Sequence, residues 1–156
     1  MKLGVFYCPK QSSTENLAGD FAHRLLLRDV IILQGDIGAG KTTFARALIN
    51  AVAVSPCVAR SPTFPFVQEY EVIQGRLLHY DFYRLREEKE IFDFDFEEAL
   101  SRDIILIEWA ERIPCNLLPK HGLTIRFEMR PMGRLLYISG SNAWRARIES
   151  LAFPAC

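Results

Sequence analysis

Val30-Ile31-Ile32-Leu33, followed within two residues by Gly35-Asp36-Ile37-Gly38-Ala39-Gly40-Lys41-Thr42, is the stretch that decides the fold. The four apolar residues form an unbroken run, as expected of a strand buried on both faces of a parallel sheet. The next eight fit G-x-x-x-x-G-K-[ST], the pattern of a loop that wraps phosphate. Beyond them Phe44, Ala47, Leu48, Ala51 and Val52 recur at helical spacing. Strand, glycine loop and helix therefore follow one another in the order that phosphate binding requires.

The residue types have chemical reasons. Glycines at 35, 38 and 40 open backbone conformations closed to other residues and let main-chain N–H groups approach an anion at a helix N-terminus. Lys41 adds a cation able to follow the β- and γ-phosphates, and the Thr42 hydroxyl is suited to ligate Mg²⁺. A bare strand-to-helix turn would have no use for the lysine-threonine pair. The expectation is a P-loop NTPase-like α/β fold, with a mixed, mainly parallel sheet flanked by helices.

The 156-residue chain is the size of a single domain, with a core of its own and no room for a second catalytic domain. Lys plus Arg and Asp plus Glu number 19 each, which argues against a broad surface for gripping nucleic acid or anionic membrane. Any link to RNA is expected to be indirect. The balance is uneven: residues 51 to 110 carry 12 acids against 6 bases, and residues 111 to 156 carry 3 against 7. Such asymmetry suits docking to a protein. Cys8, Cys57, Cys115 and Cys156 stand singly, so neither a disulfide partner nor a zinc knuckle is expected. With no export signal and no membrane-length apolar segment, a cytoplasmic protein is expected.

Along the chain, Leu3 to Tyr7 reads as a strand, and Ser12-x-x-Glu15 as a capping box that opens a helix through about Leu27. Ser55-Pro56 is expected to end the helix after the phosphate loop. Two β-rich segments, Phe64 to Val72 and Leu77 to Tyr83, are joined by Ile73-Gln74-Gly75-Arg76. A helix or pair of short helices is expected around Glu87 to Leu100, its charges forming a solvated face or a docking face. Asp103 to Glu108 reads as a buried strand, Leu123 to Met129 and Leu135 to Ser139 as a final pair, and Asn142 to Leu151 as a terminal helix.

A phosphate loop needs a second acid for Mg²⁺, usually at the carboxyl end of a neighbouring strand. Glu108, which ends the apolar run 104 to 107, is the better candidate. In Leu78-His79-Tyr80-Asp81-Phe82, alternation sends Leu78, Tyr80 and Phe82 to one face and His79 and Asp81 to the other. Asp81 is then placed either to orient an attacking water or to reach the metal through water. Thr63 is either a switch residue sensing the γ-phosphate or part of a plain Ser61-Pro62-Thr63 turn. Trp109 either walls the nucleotide pocket or packs in the core. His79 reads as a packed strand residue. No N-K-x-D motif for guanine is present, so an adenine nucleotide, ATP or ADP, is the default.

Four blocks together, Gly35 to Phe44, Ser61-Pro62-Thr63-Phe64, His79-Tyr80-Asp81-Phe82-Tyr83-Arg84-Leu85 and Ile107-Glu108-Trp109, resemble the TsaE (YjeE) family in order and spacing. That family consists of bacterial ATPases needed to make N6-threonylcarbamoyladenosine beside the anticodon of tRNA, working with TsaB and TsaD. The resemblance implies that Lys41 and the loop amides from Gly35 through Asp36, Ile37, Gly38, Ala39 and Gly40 to Thr42 and Thr43 hold phosphate. It implies Mg²⁺ at Thr42 and Glu108, a role for Asp81 in hydrolysis, and a switch-like segment at Thr63. Thr14 and Arg134 fall near the family's outer nucleotide contacts, and a TsaB–TsaD complex is the implied partner.

This chain departs from the family pattern at Ala110, where proline is usual, at Phe94-Asp95-Phe96, where a leucine-glycine pair is usual, and at Ala51-Val52-Ala53-Val54, which lacks a closing glycine. These departures bear on docking around residues 86 to 101 and not on phosphate chemistry. Two other classes fit the loop alone: a small P-loop kinase, and a nucleotide-sensing module without hydrolysis.

Overall fold

Apolar runs and alternating segments account for a single sheet of seven strands. The computed structural model describes residues 1–59, 62, 66–87, 89–91 and 95–151. Strands β1 (Lys2–Cys8), β2 (Val30–Gln34), β3 (Val67–Val72), β4 (Gly75–Asp81), β5 (Ile104–Glu108), β6 (Leu123–Met129) and β7 (Arg134–Ser139) lie in the order β1-β7-β6-β2-β5-β4-β3. Helices α1 (Gln11–Ala22), α2 (Lys41–Val52), α3 (Phe96–Arg102) and α4 (Asn142–Ile148) cover its faces. The central strands β4, β5, β2 and β6 pair in parallel, and β3, β7 and β1 extend the sheet by antiparallel pairing. Five of the seven strands thus run in one direction, as the mixed, mainly parallel expectation requires.

The sheet divides the core into two layers. Ile31 and Leu33 of β2 face Phe21 of α1, Phe44 and Leu48 of α2, and Trp144 of α4. Val30 and Ile32 of the same strand face the other side, with Ile105 and Ile107 of β5, Tyr80 of β4, and Phe96 of α3. A strand enclosed in this way must be apolar at every position, which is why β2 and β5 read as continuous runs. On β4, Leu78 and Tyr80 enter the α3-side core while Leu77 enters the other, so the expected alternation holds.

Several expected boundaries move. Helix α1 opens at Gln11 from Lys10, with no side-chain cap, and Ser12 lies inside it. The Lys10 carbonyl starts the ladder by accepting from Ser13 N–H, and Glu15 accepts from Gln11 Nε2 at 2.7 Å instead of reaching back. The helix stops at Ala22, not Leu27, because a local turn takes over: the Asp29 carboxylate accepts from Leu26 N–H at 2.8 Å, and Leu26 O accepts from Asp29 N–H. Helix α2 stops at Val52, before Ser55-Pro56, since Ala53 turns extended and bridges to Val72.

The hairpin between β3 and β4 is tighter than expected. Glu71 pairs with Arg76 and Val72 with Gly75, leaving only Ile73-Gln74 as the turn. Of the two arrangements expected around Glu87 to Leu100 the structure has the pair of short helices: a 3-10 turn at 89–91, and α3, which begins at Phe96 after Asp95 in a left-handed conformation. Within that segment, residues 88 and 92–94 lie outside the described residues, as do Ser61, Thr63 and Phe64. Helix α4 ends at Ile148 and not Leu151.

Candidate functional site

The loop from Gly35 to Gly40 leaves the carboxyl end of β2, which lies between β5 and β6. Ligands of α/β sheets bind at such a carboxyl edge, where the chain departs from a strand with neighbours leading in both directions. Two of the glycines are dictated by geometry. At Gly35, φ is +137° and a Cβ would lie 2.7 Å from the Phe127 carbonyl oxygen, so the loop runs hard against β6. Gly40, at φ +106°, caps α2, and a Cβ there would lie 3.0 Å from Arg134 Nε. Only glycine combines these backbone angles with such approaches.

Lys41 opens α2 and is almost wholly buried. Its ammonium donates to Gly35 O at 2.5 Å and Asp36 O at 2.9 Å, and lies 4.1 Å from the centre of the Trp109 ring. Burial pushes the Lys41 amine below its ordinary range, opposed by the charges of Glu108, Glu111, Asp81 and Asp36. Next to it, the Thr42 hydroxyl donates to Glu108 Oε2 at 2.9 Å. The register of the parallel strands explains this meeting, for Glu108 pairs with Leu33 on one side and with Asp81 on the other. Glu108 is buried, and its second oxygen, Oε1, lies 2.9 Å from Nε2 of fully buried His79.

Asp81 ends β4, and its Oδ1 accepts from Tyr83 N–H at 3.0 Å. The Tyr83 ring packs on Trp109 at 4.9 Å between centres. Trp109 itself has φ +62°, an uncommon conformation for a large side chain, and it turns the chain directly after Glu108. From the far side Arg134, first residue of β7, donates through Nε to Ala39 O at 2.6 Å.

These side chains enclose a cavity of about 410 Å³, lined by Ile37, Gly38 and Gly40 to Thr43 of the loop and by Asp81, Tyr83, Glu108, Trp109 and Arg134. The size suits a nucleotide's phosphates and more. Sequence-predicted Lys41, Thr42, Thr43, Asp81, Glu108, Trp109 and Arg134 are thus brought together. Gly35, Asp36 and Ala39 hold the loop's shape through backbone contacts to Lys41 and Arg134. Thr14 is elsewhere: it is buried on α1, and its hydroxyl is not among the atoms lining the cavity. Thr63 lies outside the described residues. Two contributors were less visible in the sequence. Tyr83 supports Trp109, and His79 touches Glu108; the advance signals were their place in the block His79 to Leu85 and the alternation of His79 in phase with Asp81.

Thr42 Oγ1 and Glu108 Oε2 offer adjacent hard oxygen donors, the chemistry that Mg²⁺ prefers. Among the described residues, no group of three or more His, Cys, Asp or Glu side chains could hold a metal by itself. A cation here would need substrate oxygens to complete its shell, which is how Mg²⁺ is bound in nucleotide sites. The residues fit that ion. Among the described residues Cys8, Cys57 and Cys115 are free thiols, and no helix is long and apolar enough to cross a membrane.

Residues 8–135 match the family model described as threonylcarbamoyl adenosine biosynthesis protein TsaE. A protein of Rickettsia typhi, described as tRNA threonylcarbamoyladenosine biosynthesis protein TsaE, is 41% identical over 109 residues, covering 70% of this chain and 76% of the relative. A protein of Aquifex aeolicus with the same description is 43% identical over 110 residues, covering 69% and 78%. Among solved structures, YdiB of Bacillus subtilis superposes with a TM-score of 0.70 at 25% identity, covering 97% of this chain and 94% of that one.

Proposed function

The chain belongs to the TsaE family of threonylcarbamoyl adenosine biosynthesis proteins, and from that premise we propose that it is a Mg²⁺-dependent ATPase supporting this tRNA modification. The observation that carries the reading is the junction of Lys41, Thr42 and Glu108 at the head of α2, inside a cavity of nucleotide size. The chain's own residues divide the work. Loop N–H groups and the Lys41 ammonium bind the phosphates, and Lys41 offsets charge that develops on them during transfer to water. Thr42 and Glu108 would hold Mg²⁺, which when bound supplies charge neutralisation at the β- and γ-phosphate oxygens. Asp81 orients the attacking water, held in its rotamer by the Tyr83 N–H. Trp109, against which the Tyr83 ring packs at a tilt, walls the cavity and limits water.

Hydrolysis would act on a protein assembly and not on a metabolite, a reading supported by the uneven charge of the chain, 12 acids against 6 bases over residues 51 to 110, which suits docking to a protein. A TsaB–TsaD-like complex is the proposed partner, with tRNA contacted indirectly. The test is phosphate release from ATP with and without the cognate TsaB–TsaD pair. Stimulated release is expected, abolished in Lys41→Ala and Glu108→Ala, while Asp81→Asn keeps nucleotide binding and loses turnover. Phosphate transferred to a small molecule would point to a kinase. Nucleotide binding with no phosphate release, even with the partners, would leave a sensing module.

A further inference from the structure

Glu108 is held from two sides, and only one of its partners has a place in the scheme above. Oε2 accepts from Thr42, whereas Oε1 faces His79 Nε2 at 2.9 Å, with both side chains out of solvent. An ionised carboxylate only accepts, so Nε2 carries the proton in this contact. The other ring nitrogen, Nδ1, is buried with no hydrogen-bond partner among the described residues. A buried polar atom without a partner is destabilising, and an apolar side chain would fill the same position between β3 and β5 without that cost. Packing therefore does not explain an imidazole at 79; among the described residues its one polar engagement is with Glu108.

We propose that His79 is the positioning residue for the metal-binding carboxylate, fixing the Glu108 rotamer so that Oε2 stays beside Thr42. This rests on the proposed role of Thr42 and Glu108 in holding Mg²⁺. Without the imidazole donor, Oε1 would be a buried oxygen lacking its partner, and the carboxylate would be free to turn toward Lys41, whose charge it already feels. Glu108 would then be drawn away from Thr42, while Lys41 keeps its own contacts with the Gly35 and Asp36 carbonyls. Residues that orient metal ligands in this manner are commonly worth 10- to 100-fold in metal affinity.

The experiment compares wild type with His79→Leu, His79→Gln and Glu108→Gln, reading a fluorescent ADP analogue titrated with Mg²⁺ and, separately, in chelator. Leu fills the space and donates nothing; Gln retains an amide N–H near the position of Nε2. The His79→Leu chain is expected to bind metal-free nucleotide as wild type does, yet to need roughly 10- to 100-fold more Mg²⁺. Gln should recover most of that loss, and should also recover the fall in thermal midpoint expected of the Leu chain, whose buried Oε1 is left without its donor. Wild-type Mg²⁺ dependence in His79→Leu, with Glu108→Gln impaired, would overturn the inference alone. Equal loss of metal-free binding would assign His79 a merely structural role and also overturn it. If the Leu chain does not fold, His79→Asn, whose shorter amide falls short of Oε1, must show the same rise in Mg²⁺ need, and wild-type behaviour there refutes the proposal. A wild-type chain indifferent to Mg²⁺ would instead overturn the proposed function, and this inference with it.

Discussion

Substituting Gly35 and Gly38 separately by alanine tests whether the phosphate loop is held by close approach or by backbone angle. Both glycines have positive φ, +137° and +78°. At Gly38 a Cβ meets no described atom within 4 Å, so only the left-handed backbone is penalised, at about 1–2 kcal/mol. At Gly35 a comparable backbone term of about 1–3 kcal/mol is joined by a collision. The Cβ would stand 2.7 Å from Phe127 O and 3.1 Å from Phe127 Cβ. Phe127 sits in β6, laddered to β7 through Leu136, and cannot withdraw without disturbing that pairing. Overpacking of this kind costs about 1–3 kcal/mol, so Gly35→Ala should lose about 2–6 kcal/mol in all. For a domain of this size each kcal/mol lowers the midpoint by about 2–4 °C. Thermal unfolding should therefore fall by roughly 4–24 °C for Gly35→Ala, and by roughly 2–8 °C for Gly38→Ala. Equal shifts would refute the claim that the loop is braced against β6.

Phe44→Ala should remove about 3–5 kcal/mol, because this fully buried ring bridges Phe21 of α1 and Phe127 of β6 at 6.2 and 5.8 Å; chemical denaturation measures it. Asp103 gives an acid-side prediction: hydrogen bonds from Arg76, at 3.0 and 2.7 Å, hold its carboxyl below the ordinary value of 3.8. A lowered folded value means that the stabilisation is present above about 3.8 and is lost as pH falls through the folded value. Arg76→Met should thus cost about 1–3 kcal/mol at neutral pH and flatten the decline in unfolding midpoint below pH ~4. Arg134→Met should weaken nucleotide binding while leaving the sheet intact, read by a fluorescent nucleotide alongside far-UV circular dichroism. Unchanged affinity would mean that the Ala39 carbonyl needs no brace.

The sequence exposed the central machinery because that machinery is written in local patterns. Enclosure on both faces makes β2 and β5 continuous apolar runs, and the loop between β2 and α2 must have its glycines, lysine and threonine in fixed order. Alternation likewise separated His79 and Asp81 from Leu78 and Tyr80 before any coordinates. Contacts across long separations left no such trace. Arg134 reaches Ala39 across 95 positions, and His79 meets Glu108 across 29. The end of α1 was misjudged for a related reason: Leu25, Leu26 and Leu27 continue an apolar stretch, yet the Asp29 carboxylate takes the Leu26 N–H and is itself bound by Arg147 from α4. Trp109 shows the limit from the other side, for nothing in its neighbours announces a left-handed backbone under an indole.

The Arg134 brace also has a kinetic meaning. Its side chain donates to the loop at Ala39 O and packs against Gly40, while its main chain begins β7 and pairs with Met129 and with Cys8. Opening of the β6–β7 turn must therefore pull the guanidinium off the loop. The loop cannot then be more protected against opening than this three-strand corner of the sheet. In hydrogen exchange the amides of Ala39 to Thr42 and those around Arg134 should exchange as one cooperative unit, slower together than a solvent-exposed loop would be alone. What looks like a small flexible hoop at the head of α2 is, in these terms, the outer turn of a foldon anchored two strands away.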